Sequence, residues 1–234
     1  MDSDAEKKDN MEQTPARKTP ERTWSIPPKQ EPYVHALEIG FDTLTANSPS
    51  AGKLESLGSK MCHEGIRLAV LDREVLVDID KREVTLIGGG RLRVGWSLLI
   101  LHYLNAEDVS IDDTETSLAH LSDIRGYLAV FEKRIVGRFL YTVGRNGERF
   151  AELSEKLNGM PVQSNGLGYR FYILPRVPVT IVRYDGDEDF GPGANFVYRA
   201  DIRNLLPPED RVVAAELLLD ALSGKPFEEL PKSL

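Results

Sequence analysis

Cysteine is almost missing from this sequence: Cys62 is the only one in 234 residues. A lone thiol excludes an internal disulfide, an all-cysteine iron–sulfur cluster and a cysteine-built structural zinc within the chain. Positive charge is also in deficit. Lys and Arg number 29 against 37 Asp and Glu, a formal net charge of -8, so phosphate backbones are repelled at long range and no nucleic-acid partner is expected. Long apolar runs are lacking too, since the stretch around Trp96–Leu101 is far short of the ~20 residues that cross a bilayer. The start Met1–Asn10 is polar and charged, without the apolar segment of an export signal. No membrane association is expected, and a cytoplasmic location is.

What is present suffices for a substantial core: 41% of residues are apolar, enough for one compact domain. Residues 1–30 are rich in Lys, Glu, Asp, Thr and Pro and read as a disordered tail whose only apolar anchors are Trp24 and Ile26. From Tyr33, the spacing of Val34, Leu37, Phe41 and Leu44 predicts a helix ending at Asn47-Ser-Pro-Ser50. A second helix is expected over Lys53–Cys62. Ile66, Leu68, Val70 and then Val75, Val77, Ile79 alternate as a β-hairpin, with Val84–Ile87 as a third strand and Gly88-Gly-Gly90 as an interruption. Trp96–Leu104 reads as a buried helix, and Ser117–Ile124 as an extended segment.

Further on, Phe131, Ile135, Phe139 and Val143 recur every four residues, and a helix over Glu148–Leu157 follows the break at Gly144 and Asn146-Gly147. Tyr169–Leu174, Val179–Tyr184 and Asn195–Tyr198 are strand-like, and Pro207-Pro208-Glu209-Asp210 opens a final helix that closes at Ser223-Gly224. Helices and strands do not alternate, and no fixed-period repeat is present. The expectation is therefore an α+β domain over residues 31–224, with mixed or antiparallel sheet pieces packed by helices, between the N-terminal tail and a C-terminal tail at 225–234.

Several segments in order, Leu98–Leu104, Gly126-Tyr127 leading to Phe131, Phe171–Pro175 with Val177-Pro178, Tyr184–Phe190 and Leu206–Asp210, resemble the bacterial and archaeal family called domain of unknown function 3786. The resemblance runs from about Tyr33 to Leu222. Some members resemble fusions to iron–sulfur modules of the kind found beside corrinoid proteins, which implies handling of a metal, corrinoid or tetrapyrrole cofactor. This chain lacks their cysteine cluster.

Candidate site residues come from four places. Asp185, Asp187 and Asp189 put three carboxylates at alternate positions, the kind of oxygen set a hard cation favours. An EF-hand is excluded, because Phe190 and Phe196 stand where the loop needs its glycine and its closing glutamate; a solvated turn is the plain alternative. His102 in the apolar helix could ligate a metal or a tetrapyrrole face, against a histidine serving only the helix end. Arg134, Arg138, Arg145 and Arg149 would share one face of a continuous helix and could hold carboxylates, phosphates or tetrapyrrole propionates, unless Gly144 and Asn146-Gly147 break it and nearby Glu132, Glu148 and Glu152 pair them. Tyr184, the aromatic end of the strand before the acidic loop, joins His102, Arg134 and Arg138 as a candidate cofactor contact. Gly88-Gly-Gly-Arg91 lacks the Gly-Lys-Ser/Thr ending of a phosphate loop, and neither a Gly-x-Ser-x-Gly elbow nor a His-Glu-x-x-His pair occurs.

Without a complete catalytic motif, the leading expectation is a non-catalytic accessory protein that binds a cofactor or a protein partner. The alternatives are a metal-dependent enzyme built on Asp185, Asp187 and Asp189, and an interaction module that recruits a partner through its first 30 residues.

Overall fold

The computed structural model describes residues 30–229. The chain divides into Met1–Gln30 and Glu31–Leu234, and the second unit holds the fold; the expected disordered tail with Trp24 and Ile26 lies outside the described residues. Two antiparallel sheets form its frame. In the first, β1 (Ser59–Cys62), β2 (Gly65–Val70), β3 (Arg73–Asp78) and β4 (Glu83–Leu86) lie side by side in chain order. The alternating hydrophobics decide the register, pairing Ile66 with Val77 and Leu68 with Val75, and all four are buried.

The second sheet comprises β5 (Glu115–Thr116), β6 (Met160–Val162), β7 (Leu167–Leu174), β8 (Val177–Tyr184) and β9 (Gly193–Arg199), in spatial order β5-β9-β8-β7-β6. β8 is buried at every position from Val177 to Arg183, as befits a central strand covered on both faces. β5 is so short that it pairs only with Tyr198 and Arg199. The rest of β9, Gly193–Val197, is paired with β8 on one side and, among the described residues, has no strand on the other.

Helices α1 (Gln30–Asn47), α2 (Ala51–Ser56), α3 (Val94–Leu104), α4 (Leu128–Phe131), α5 (Gly137–Tyr141), α6 (Gly147–Lys156), α7 (Ile202–Leu205) and α8 (Pro208–Leu222) pack on these sheets. α3 and α8 are buried on several sides. Pro208 starts α8 in its first turn with Glu209 and Asp210 beside it, where a missing N–H costs nothing and negative charge meets the helix dipole. Beyond α8 the chain stays docked, as Phe227 is buried and stacks on Trp96 with ring centroids 5.0 Å apart.

The α+β class, the hairpin, the buried α3 and the closing helix are as expected, and two local readings are corrected. The helix expected over Lys53–Cys62 stops at Ser56, because Gly58 adopts a φ of 65° and packs its α-carbon against Pro175. Ser59–Cys62 then pairs with β2, a tertiary demand that local helical spacing does not reveal. Ser117–Ile124 is not extended but forms two 3₁₀ turns, Leu118–His120 and Ser122–Tyr127. Leu118, Leu121 and Ile124 are all buried, and their three-residue spacing is the period of that helix.

Between α4 and α5, residues Glu132–Val136 form a π turn, closed by the Gly137 N–H donating to the Glu132 carbonyl. A strict four-residue repeat drifts by about 40° per step on a regular α-helix. The wider turn takes back part of that drift and keeps Phe131, Ile135, Phe139 and Val143 inward, all four buried. Phe131 and Phe139 both meet the Phe196 ring of β9 edge-on, at 5.6 and 5.8 Å.

Where the strands end, Asp201 is fully buried and receives two arginines. Arg176, in the β7–β8 turn, donates Nη2 to Asp201 Oδ2 at 2.7 Å. Arg199 grips the same carboxylate through Nε, at 3.0 Å, and Nη2. Arg176 also donates to the carbonyls of Ser56, Val109 and Ser110. Removing one member of such a buried pair strands the others. Asp201→Ala should therefore lower unfolding free energy by about 3–5 kcal/mol in urea titration, against less than about 1 kcal/mol for Arg203→Ala, whose pair with Asp112 is exposed. Nearby, the buried Tyr198 hydroxyl has no hydrogen-bond partner. Tyr198→Phe should accordingly match or exceed the parent stability, by up to about 1 kcal/mol, and a clear loss would show that the hydroxyl is paired in solution.

Candidate functional site

Three of the four residues expected to contact a cofactor meet carboxylates of α8. His102, near the end of α3, has Nδ1 2.5 Å from Asp210 Oδ2. Arg134 in the π turn donates to Glu216 at 2.6 Å, and Arg138 in α5 donates to Asp220. Arginines four residues apart thus match carboxylates four residues apart, a ladder that fastens the π turn and α5 to α8. Asp220 also receives Arg93 at 3.3 Å and Lys225 at 2.8 Å. Burial works against its charge, but hydrogen bonds from Lys225 and Arg138 outweigh it and hold the carboxyl below the usual range. The four-arginine stripe does not continue, since α5 ends at Tyr141 and Asn146 caps α6 by accepting from the Arg149 N–H at 2.7 Å.

The acidic loop lies at the end of β8. Asp185 pairs with Arg183 at 2.5 Å, and the buried Arg183 also donates Nε to the Gly144 carbonyl. Asp187 Oδ1 accepts from the Asp189 and Phe190 N–H groups at 3.0 and 2.7 Å, closing the turn on itself. Among the described residues, no three His, Cys, Asp or Glu side chains gather where a metal could be held. Tyr184, ahead of the loop, receives a hydrogen bond on its hydroxyl from Asn195 Nδ2 at 3.3 Å.

Asn195 leads to a feature the charged motifs do not announce. Along the open edge of β9, a cavity of 330 Å³ is bounded by the first 3₁₀ turn, by α4 and the π turn, and by β9. Leu128, Phe131 and Val136 line it from the helical side, and Ala194, Phe196 and Val197 from the strand. Its polar groups are Ser117, His120, Glu132 and Asn195. His120 Nδ1 is 3.2 Å from Ser117 Oγ, with His120 exposed and Ser117 half-buried. Glu132 has no ion-pair partner among the described residues, and no Lys or Arg lines the cavity.

A family model covers residues 53–221, from α2 to the last turn of α8, and so spans both sheets and the cavity. The chain belongs to the family described as Domain of unknown function (DUF3786). No curated protein and no solved structure matches it. Among the described residues, no helix is long and apolar enough to cross a membrane.

Sequence alone does not gather the cavity residues, because Ser117 and His120 lie where an extended segment is expected and Glu132 is expected to pair with the arginines. The legible signal is the strict four-residue repeat of Phe131, Ile135, Phe139 and Val143, which drifts by about 40° per step on a regular helix.

His102 gives a pH prediction. The hydrogen bond to Asp210 outweighs burial and raises the imidazole pKa above its ordinary value. A raised folded-state pKa adds stability that is complete below the unfolded value, about 6.5, and fades as pH rises through the folded value. Asp210→Asn should therefore destabilise more at about pH 5.5 than at about pH 9 in paired urea titrations. An equal loss at both would leave only the helix-dipole contribution of Asp210.

Proposed function

We propose that this protein is a non-catalytic accessory protein that binds a compact small ligand in the cavity between β9 and the π turn. The observation behind this reading is the cavity itself: 330 Å³ of mainly apolar wall with a few polar groups at its rim, the composition of small-molecule sites. Its volume lies at the low end of the ~300–1,000 Å³ usual for such sites, which favours a compact ligand over a whole tetrapyrrole. A π turn in its wall fits the same reading, since these turns are frequent at functional positions. Of the charged residues expected to hold a cofactor or a metal, Arg134 and Arg138 hold α8, and Asp185 and Asp187 shape their own loop.

Benzyl alcohol and indole, offered to isotope-labelled protein, test this. Binding should shift resonances of Val136, Ala194 and Val197 with a millimolar or tighter Kd. Ala194→Trp, which fills the cavity from the strand, should abolish the shifts, and Val136→Phe provides the same block from the helix if the tryptophan variant does not fold. Shifts that survive both substitutions, or no shifts in the parent protein, overturn the assignment.

A further inference from the structure

We infer that the ligand this cavity takes is a primary amine, bound as its ammonium, on a compact apolar body; this rests on the cavity being the binding site. An ammonium brings three donors and no acceptor, so its counterpart is a rim rich in acceptors around apolar walls. Four observations supply that rim. Glu132 is the only carboxylate lining the cavity, and it is not spent on any cation of the described fold. Asn195 uses its Nδ2 on the Tyr184 hydroxyl, which leaves its Oδ1 as an acceptor. Ser117 Oγ, 3.2 Å from His120 Nδ1, adds another acceptor at the same rim. Finally, Gly193–Val197 is an open strand edge, whose alternate residues turn both carbonyl and N–H away from the paired neighbour and so add carbonyl acceptors with donors beside them.

Beneath the rim, Phe131 and Phe196 line the cavity. Their rings suit an apolar body and attract a cation to their faces. Anionic ligands are disfavoured: Glu132 repels them, and among the described residues no Lys or Arg lines the site, which leaves the His120 ring as its one basic side chain. The net charge of -8 adds long-range attraction for cations. The chemistry is therefore selective by sign as well as by size.

Three probes of the same shape and different charge test it: benzylamine, benzyl alcohol and benzoate, titrated into the intact protein near neutral pH and at low salt. Benzylamine should bind about fivefold tighter than benzyl alcohol, with benzoate weakest, the scale of an exposed charge-assisted and cation–π contact. Glu132→Gln should lower the affinity for the amine by more than that for benzyl alcohol and so shrink the preference, and added salt should weaken the amine alone. Equal binding of amine and alcohol, or a preference that Glu132→Gln leaves undiminished, overturns the amine assignment and leaves the cavity reading standing. If none of the three binds to folded protein, the cavity reading falls with it.

Discussion

Asp201 is a carboxylate wholly out of water, and such a group is tolerated only while its cationic partners stay in place. Arg176 reaches it from the β7–β8 turn and Arg199 from the end of β9. Because Arg176 also binds carbonyls at Ser56, Val109 and Ser110, one turn is tied to the end of α2, to the loop after α3 and to the start of α7. The backbone repeats the tie, with the Ala200 and Asp201 N–H groups donating to the Thr114 and Asp112 carbonyls. Segment 112–116 is thereby held along the end of β9 before it leaves in a 3₁₀ turn. The open edge of β9 and the cavity beside it follow from where that departure occurs.

Much of this fold is readable from residue spacing, because spacing reports which face is buried. Ile66, Leu68 and Val70 opposite Val75 and Val77 could only form a hairpin with one inward face, and the apolar run of α3 could only lie inside. The failures fall where tertiary pairing overrules local pattern. Ser59–Cys62 has no strand-like alternation of its own and becomes a strand because β2 presents it with an edge. Leu118, Leu121 and Ile124 follow a three-residue period, which a search for alternation or for 3.6-residue repeats does not detect.

The candidate site was less legible, for a different reason. Charged residues draw attention in a sequence because they are expensive to bury, yet that expense is why the fold pairs them with each other. Arg134 and Glu216 are 82 positions apart, as are Arg138 and Asp220, and nothing in either local sequence points to its partner. Asp187 has the same lesson at short range, since its Oδ1 accepts from the Asp189 and Phe190 N–H groups of its own turn. The cavity, in contrast, is walled by leucine, phenylalanine, valine and alanine, the commonest core residues, and becomes visible only when their elements are placed.

The helix winding that fastens the arginines also decides where Glu132 points. Successive helical residues turn by about 100°, so a residue two positions before Arg134 lies on nearly the opposite side. Arg134 and Arg138 face α8, whereas Leu128, Glu132 and Val136, spaced by four, face the cavity. Reversing the two would set Glu132 against Glu216 and Asp220 and turn cations toward β9. The carboxylate at the cavity rim is therefore left without an ion-pair partner among the described residues because its helix meets the α8 carboxylates with arginine, so the contact that anchors the helix also fixes the charge at the rim.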